Sequence, residues 1–260
     1  MMTSLAASKG ACVSLGKETR CITCSLSALC LPLSLNLEDI DQLDRIIKRR
    51  HPLKKGDHLF RQGDHFDSVY AVRSGSLKNY IMTNDGEEQI TNFHLPSELV
   101  GLDGVDCASY PISSKAMETT TVCEIPYSRL QQLASELPDL RNQIFSSMSK
   151  EIREDKQMML LLSKKNAEER VATFLANLSS RFKRRGYSSF TFRLPMSRNE
   201  IGNYLGLAVE TVSRVFTRFQ TLGVLAVNGK EVHITDRQQL LQIAGISDCQ
   251  AETSNKLIAS

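Results

Sequence analysis

The sequence predicts an α+β chain that runs from a β-roll through one long helix into a C-terminal winged helix-turn-helix. Three observations support this order. Residues 51–127 consist of short strand-like runs broken by glycines, residues 140–165 contain neither Gly nor Pro, and residues 196–235 have the pattern of two helices followed by a hairpin. The strand pattern by itself fits an antiparallel roll, barrel or sandwich.

Composition and charge narrow the class of protein. The chain has 260 residues, 41% of them hydrophobic, which is enough for two domains with cores. No apolar run reaches the roughly 18 residues of a membrane span, and the N-terminus lacks the apolar centre of a secretory signal, so we expect a cytoplasmic protein. Residues 164–260 carry 14 Lys and Arg against 8 Asp and Glu, and this excess indicates contact with a polyanion.

Two local patterns predict elements before and within the roll. Apolar residues at helical spacing predict one helix over residues 36–50, and they are Ile40, Leu43, Ile46 and Ile47. Further along, Asn84-Asp85-Gly86 lies between two strand-like runs and is a hairpin signal. We therefore expect a helix before the roll and a tight β-hairpin within it.

The long helix carries a heptad seam. Its members, spaced alternately by three and four residues, are Phe145, Met148, Ile152, Asp155, Met159 and Leu162. So narrow a seam favours pairing with the same helix of a second copy over packing on its own domain. Asp155 interrupts the apolar rule. Two such carboxylates would repel and weaken a symmetric dimer, unless each turns toward a basic side chain such as Arg153 or Lys156 of the partner subunit.

The C-terminal helix pair has the features of a DNA-reading motif. Ser197 and Glu200 form a capping box that opens the first helix, and Gly206-Leu207 forms the turn. On the second helix, expected at 209–222, the polar face carries Glu210, Ser213, Arg214 and Thr217, and the opposite face carries Val212, Val215, Phe216 and Phe219. Arg pairs with guanine and Glu accepts from cytosine in a major groove. A plain helical hairpin is the alternative, but the following Asn228-Gly229 hairpin adds a wing.

Three of the seven cysteines crowd one short segment. Cys21, Cys24 and Cys30 follow the spacing C-x2-C-x5-C, and the other cysteines are Cys12, Cys107, Cys123 and Cys249. In a reducing compartment such a cluster binds metal or does redox chemistry. Four cysteines suit an iron–sulfur cluster or a structural zinc ion, C-x2-C alone suits a thiol redox pair, and single buried cysteines are common in cores. Spacing alone does not choose the fourth ligand.

Several segments resemble one family. IGNYLGLAVETVSRVFTRFQ resembles the helix-turn-helix of the CRP/FNR superfamily of bacterial transcription regulators. LLLSKKNAEERVATFLANLS and CITCSLSALC are similar to its FNR/Anr branch, the oxygen-responsive regulators. The resemblance covers nearly the whole chain, from about residue 20 to 245, and implies four parts. They are a cysteine segment at 1–35, a cyclic-nucleotide-binding-like β-roll sensor domain at 36–139, a dimerisation helix at 140–165 and a winged helix-turn-helix DNA-binding domain at 166–247. Independently of the family, the sequence predicts a disordered start at 1–18 and a polar, flexible tail at 248–260.

For DNA, the resemblance implies roles that follow the family pattern E-x-x-S-R. Glu210, Ser213 and Arg214 would read bases, and a homodimer would bind double-stranded DNA with two-fold symmetric TTGAT half-sites. One departure is Ala208, where Ser or Thr is common before the recognition helix. The missing cap costs about 1 kcal/mol of helix stability and leaves the reading face intact.

For the sensor, the resemblance implies that Cys21, Cys24, Cys30 and Cys123 hold a [4Fe-4S] cluster, with Cys12 as a spare. The Glu and the Arg-Ser pair that hold cyclic nucleotides are missing from residues 99–120, which argues against cAMP. The hairpin at 82–89 is expected to touch RNA polymerase. The hypothesis is that the cluster promotes dimerisation and that oxygen, by destroying it, weakens the dimer and its specific DNA binding.

Rival interpretations remain open at the level of sequence. An enzyme is not expected, because the chain has no dinucleotide fingerprint and no P-loop. A regulator of the same fold could instead use zinc or thiol chemistry. A third possibility is a constitutive dimer that senses nothing and binds DNA regardless of air.

Overall fold

The computed structural model describes residues 20–246. The expected disordered start 1–18, the expected tail 248–260, Cys12 and Cys249 lie outside this range. Within it, the mixed α+β architecture confirms the predicted fold class, with a β-roll, a long helix and a winged helix-turn-helix in chain order. None of the helices between residues 20 and 246 is long and apolar enough to cross a membrane.

Two four-stranded antiparallel sheets form the roll. The first has the order β1-β8-β3-β6, with strands Lys48–Arg49, Thr121–Pro126, Ser68–Ser74 and Leu99–Val100. The second has the order β2-β7-β4-β5, with strands His58–Phe60, Ser113–Ala116, Leu77–Met82 and Glu88–His94. The hairpin expected at 84–86 is confirmed as the β4–β5 connection. Aromatic rings fill the interior, where Phe60 and Tyr110 stack with ring centroids 3.9 Å apart.

Short helical turns and two helices flank the roll. The cysteine segment folds as three 3₁₀ turns, Cys21–Thr23, Ser27–Leu29 and Leu31–Ser34. Helix α1 spans Leu37–Ile46, with the side chain of Asn36 as its cap, and α2 spans Tyr127–Glu136. The expectation of a helix to residue 50 was wrong. The chain turns extended at Ile47, so that Lys48 and Arg49 pair with β8.

Helix α3 is the long helix, Pro138–Lys164. Proline suits its start, because the first turn has no intrahelical partner for the missing N–H. The prediction of one continuous helix is confirmed, although it begins two residues earlier than expected. Only Leu140 near its start and Leu161 near its end are buried, so the middle of the helix contributes little to the core of its own chain.

The C-terminal part is a helical domain with a small sheet, called here the winged-helix domain. Its helices are α4 (Ala167–Arg184), α5 (Arg198–Leu205), α6 (Val209–Thr221) and α7 (Arg237–Ala244). Its sheet has the order β10-β11-β9, with strands Leu225–Asn228, Glu231–Ile234 and Thr191–Arg193. The β10–β11 hairpin at Gly229 confirms the predicted wing. Strand β9 and helix α7 were not predicted, although α7 begins at the capping side chain of Asp236 and ends at Gly245.

Candidate nucleic-acid interface and cysteine pocket

Two glycines shape the helix-turn-helix. Gly206 ends α5 in the left-handed region with φ of 62°, which glycine adopts without strain. Gly202 lies so close to the turn that a Cβ there would meet the carbonyl oxygen of Leu207 at 2.5 Å. Sequence reasoning named the turn glycine but missed Gly202, although the four-residue spacing of the two glycines was visible.

The predicted reading face is exposed on α6. Glu210, Ser213 and Arg214 are all solvent-exposed, and Thr217 continues the same face one turn on. Beneath them lies the opposite face, whose buried residues are Val212, Val215, Phe216 and Phe219. The helix is thus held by its apolar side while its polar side is free to enter a major groove.

Helix α5 is capped at its start and contacts α6 through Arg198. The capping box of Ser197 and Glu200 is present, as predicted. Ala208 makes no side-chain cap to α6, as its residue type requires. The guanidinium of Arg198 lies 3.2 Å from the centre of the Phe216 ring, which ties α5 to α6 by a cation–π contact. Burial lowers the pKa of Arg198 to about 10.

The four predicted ligand cysteines line one pocket. Cys21, Cys24 and Cys30 reach it from the 3₁₀ turns, and Cys123 reaches it from the middle of β8. The other lining side chains are mainly apolar, among them Leu31, Ile47 and Ile125. Cys107 is exposed elsewhere on the roll and does not join them. The fold therefore places Cys123, and not Cys107, beside the three cysteines of the segment.

Asp44 anchors the cysteine segment to the roll. Its carboxylate accepts the backbone N–H of Cys21 at 2.8 Å and the guanidinium of Arg49 at 2.6 Å. Burial alone would raise the pKa of Asp44, but these hydrogen bonds outweigh it and hold the pKa below its ordinary value. Sequence reasoning missed Asp44, because it lies on α1 among several acidic residues of similar appearance.

Burial in the pocket favours the neutral thiol form of these cysteines. Burial raises the pKa of Cys30 to about 12, and burial together with Asp44 raises that of Cys21 above its ordinary value. The pKa of Cys123 is raised by burial as well. Among residues 20–246, no three His, Cys, Asp or Glu side chains already stand in position to hold a metal ion. The four thiols are a donor set that fits a thiophilic metal group.

The predicted seam is an exposed apolar stripe on α3. Phe145, Ile152 and Met159 expose 58%, 54% and 70% of their surface, and Leu162 is exposed as well. Met148 instead packs partly against the core of the roll. The seam residues thus share one face over most of the helix, and much of that apolar surface is left uncovered by residues 20–246.

Asp155 belongs to a group of acids that lie close together. Burial raises the pKa of Asp103, which lies on the roll, and the pKa of Glu151, one turn earlier on α3. The nearby charge of Asp155 raises both pKa values further. For Glu151 the pKa rises to about 7. The sequence singled out Asp155 from its place in the seam but gave no sign that Asp103 approaches it.

Known protein families match both domains described above. Residues 50–136 match the cyclic nucleotide-binding domain family, and residues 169–243 match the Crp-like helix-turn-helix domain family. The chain is 67% identical to the transcriptional activator protein Anr of Pseudomonas protegens, over 88% of this chain and 93% of that protein. It is 51% identical to the fumarate and nitrate reduction regulatory protein of Escherichia coli K12, over 88% and 92%. The structure of FixK2 from Bradyrhizobium japonicum aligns with a TM-score of 0.70 at 31% identity, over 78% and 99%.

Proposed function

Because the chain belongs to the FNR/Anr type of the CRP/FNR family of transcription regulators, we propose that it is an oxygen-responsive activator whose cysteine pocket holds a [4Fe-4S] cluster. One observation carries the sensor half of this proposal. Cys21, Cys24, Cys30 and Cys123 line the same pocket although nearly a hundred positions separate the last from the others. When bound, the cluster supplies oxygen-labile iron that is ligated by thiolates.

Contacts between the cysteine segment and the roll link the pocket to the start of helix α3. Cys21, Cys24, Cys30 and Cys123 would hold the cluster and thereby hold the 3₁₀ turns against β8, while the contact of Asp44 with the backbone N–H of Cys21 fixes the first of these turns to α1. Cys30 also packs beside Leu31 against the core from which α3 starts, a core that includes Leu140. A segment held on the roll therefore stabilises the packing at the root of α3, and a released segment loosens it.

The response is proposed to act through dimerisation. The exposed seam of Phe145, Ile152, Met159 and Leu162 suits a second copy of α3, since identical stripes interdigitate around a two-fold axis. Asp155 lies within this stripe and opposes pairing by repulsion, to which the nearby Asp103 and Glu151 add. Because attraction and repulsion nearly balance in such a dimer, a small change in packing at the N-terminal end of α3 shifts the monomer–dimer equilibrium.

DNA recognition is assigned to Glu210, Ser213 and Arg214 of each protomer. Their exposure on one face of α6 leaves them free to contact base edges in a TTGAT half-site. A dimer places two such helices on a two-fold symmetric site, and a monomer forfeits the gain from the second half-site.

Further parts of the proposal concern ligands and partners. We assign no cAMP to the roll, because stacked Phe60 and Tyr110 occupy its interior and residues 99–120 contain no Arg-Ser pair. The β4–β5 hairpin is assigned to RNA polymerase, and catalysis is not assigned. The protein acts in the cytoplasm, where its target DNA lies.

The direct test is the metal content of protein purified under nitrogen. We expect a brown protein with four irons and four sulfides per chain, and a Cys123→Ser variant that is colourless. Cys107→Ser is the matched control and should keep the colour, because Cys107 lies outside the pocket. A colourless wild type that contains zinc would contradict the cluster and favour a zinc regulator of the same fold.

A further inference from the structure

A buried ion triad joins the roll to the winged-helix domain. Glu98, in the β5–β6 connection, accepts hydrogen bonds from Nε of Arg181 at 3.0 Å and from Nη2 of Arg185 at 2.6 Å. A further bond from Nη2 of Arg181 makes that pair bidentate. The side chains of Glu98 and Arg181 are 13% exposed and that of Arg185 only 4%. This burial distinguishes the triad from surface ion pairs between the same domains.

The same residues also satisfy the backbone of the connection. Arg181 donates to the carbonyl of Phe93 at 2.6 Å, and Arg185 donates to that of Pro96. Burial would raise the pKa of Glu98, but the two guanidinium groups hold it well below its ordinary range. The triad is therefore charged, and removal of its single carboxylate would leave two buried cations unpaired.

A second contact holds the two domains together near the recognition helix. The side chain of Asn203 on α5 accepts the N–H of Ile90 at 2.6 Å and donates to the carbonyl of Glu88 at 2.6 Å. Strand β5 lies at the edge of its sheet, so these backbone groups are free to pair with a side chain. The triad and Asn203 thus add polar contacts to the apolar core in which Phe93 of the roll packs against Phe174 and Tyr204.

One strand separates the triad from the cysteine pocket. Cys123 on β8 pairs with Ala71 on β3, and Ala71 pairs with Leu99 on β6, the residue after Glu98. The backbone of Val72 also exchanges hydrogen bonds with Ser97 and Glu98, at 2.7 and 2.9 Å. On the other side, Cys30 lines both the cysteine pocket and the cleft that the triad borders.

We propose that Glu98, Arg181 and Arg185 form a clamp that positions the winged-helix domain, and that strand β3 couples this clamp to the cysteine pocket. This inference rests on the proposed function only in the identity of the group that the cysteine pocket binds. Coupling between two sites is reciprocal, so a loosened clamp must change the pocket as much as the pocket changes the clamp. The coupling is therefore measurable in metal-free protein.

The test measures how fast iodoacetamide alkylates each cysteine in reduced, metal-free protein, with mass spectrometry to separate the sites. In Glu98→Gln we expect alkylation of Cys30 and Cys123 to accelerate about fivefold, while exposed Cys107 reacts as before. Glu118→Gln is the matched control. Glu118 pairs with Arg193 across the same two domains, but at 3.9 Å and in solvent, so its loss should leave all three rates unchanged.

Amide hydrogen exchange on the same samples reports the clamp itself. Residues 88–94 and 181–185 should exchange faster in Glu98→Gln than in Glu118→Gln. If Glu98→Gln does not fold, Arg185→Lys keeps the charge without the planar fork and should move both readouts in the same direction.

Two results would overturn the inference. Unchanged exchange at both segments would show that the triad does not hold the domains together. Unchanged alkylation of Cys30 and Cys123 in Glu98→Gln, or an equal rise in the control Glu118→Gln, would remove the coupling. Neither result depends on iron, so a failure here is distinct from a failure to find a cluster.

Discussion

The carboxylate of Asp44 accepts the backbone N–H of Cys21 at 2.8 Å, and this contact fastens the cysteine segment to helix α1. The same carboxylate accepts from Arg49, whose strand partner is Cys123. One side chain thus links the start of the segment to the strand that carries the distant cysteine. The ends of the proposed ligand set share this anchor.

Replacement of Asp44 should release the segment. In Asp44→Asn the charge-assisted bonds to Arg49 and Cys21 weaken, so amide exchange across residues 21–31 should accelerate about tenfold. Glu38→Gln removes an exposed carboxylate from the same helix and serves as the control. Exchange that is equally slow in both variants would mean that the segment is held by its apolar contacts alone.

Loss of the central reading side chain should weaken specific DNA binding. Arg214→Ala removes the donor that we propose contacts a base, and it should cost about 1–3 kcal/mol per half-site on a TTGAT inverted repeat, with little change on random DNA. Arg218→Ala is the control, because Arg218 lies on the same helix but pairs with Glu168 at 2.9 Å. Fluorescence anisotropy on the two DNAs gives both numbers. Equal losses on both would assign Arg214 to phosphate contact instead.

The acid in the seam should limit dimerisation. In the proposed dimer, Asp155→Ala removes repulsion across the two-fold axis, so this variant should be dimeric in air, where we expect the wild type to be monomeric. Asp139→Ala, an exposed acid at the start of α3, should not change the wild-type behaviour. Sedimentation velocity measures the states. An Asp155→Ala chain that remains monomeric in air would disprove the role given to this carboxylate.

Stability should depend on pH through His94. Burial lowers its pKa from 6.5 to about 4, and Asn79 lies 3.0 Å from its Nε2. The unfolded chain therefore takes up the proton first as pH falls, and the folded state loses up to about 3 kcal/mol between these two pKa values.

The variant His94→Gln keeps an acceptor for Asn79 without titrating. Denaturant unfolding of both proteins at about pH 7 and about pH 5 isolates the contribution, since all other groups cancel in the difference. The wild type should lose more stability on acidification than the variant. Parallel losses would mean that the His94 site accepts a proton in the folded state.

Periodic and capped elements could be predicted from the sequence. The long helix, the capping box of Ser197 and Glu200, the wing and the exposed face of α6 follow from local spacing, which a helix or hairpin converts directly into a face or a turn. Strand β1 was missed because Ile46 and Ile47 extend the helical pattern to the point where pairing with β8 takes over.

Contacts between distant residues could not be read in this way. Asp44, Asp103 and Glu98 look like ordinary acids in the sequence, and their roles arise only where the fold brings Cys21, Asp155 and Arg181 against them. The choice of Cys123 as the fourth cysteine depended on family resemblance, and its place in the pocket depends on the register between β8 and β3.

The central claim is that the occupant of the cysteine pocket controls DNA binding. The most direct measurement follows DNA affinity and visible absorbance together while air is admitted stepwise to anaerobic protein on a TTGAT inverted repeat. Specific binding should fall in proportion to the loss of colour, and Asp155→Ala should keep binding after its colour has gone. Wild-type protein that binds the repeat equally well after complete bleaching would contradict it.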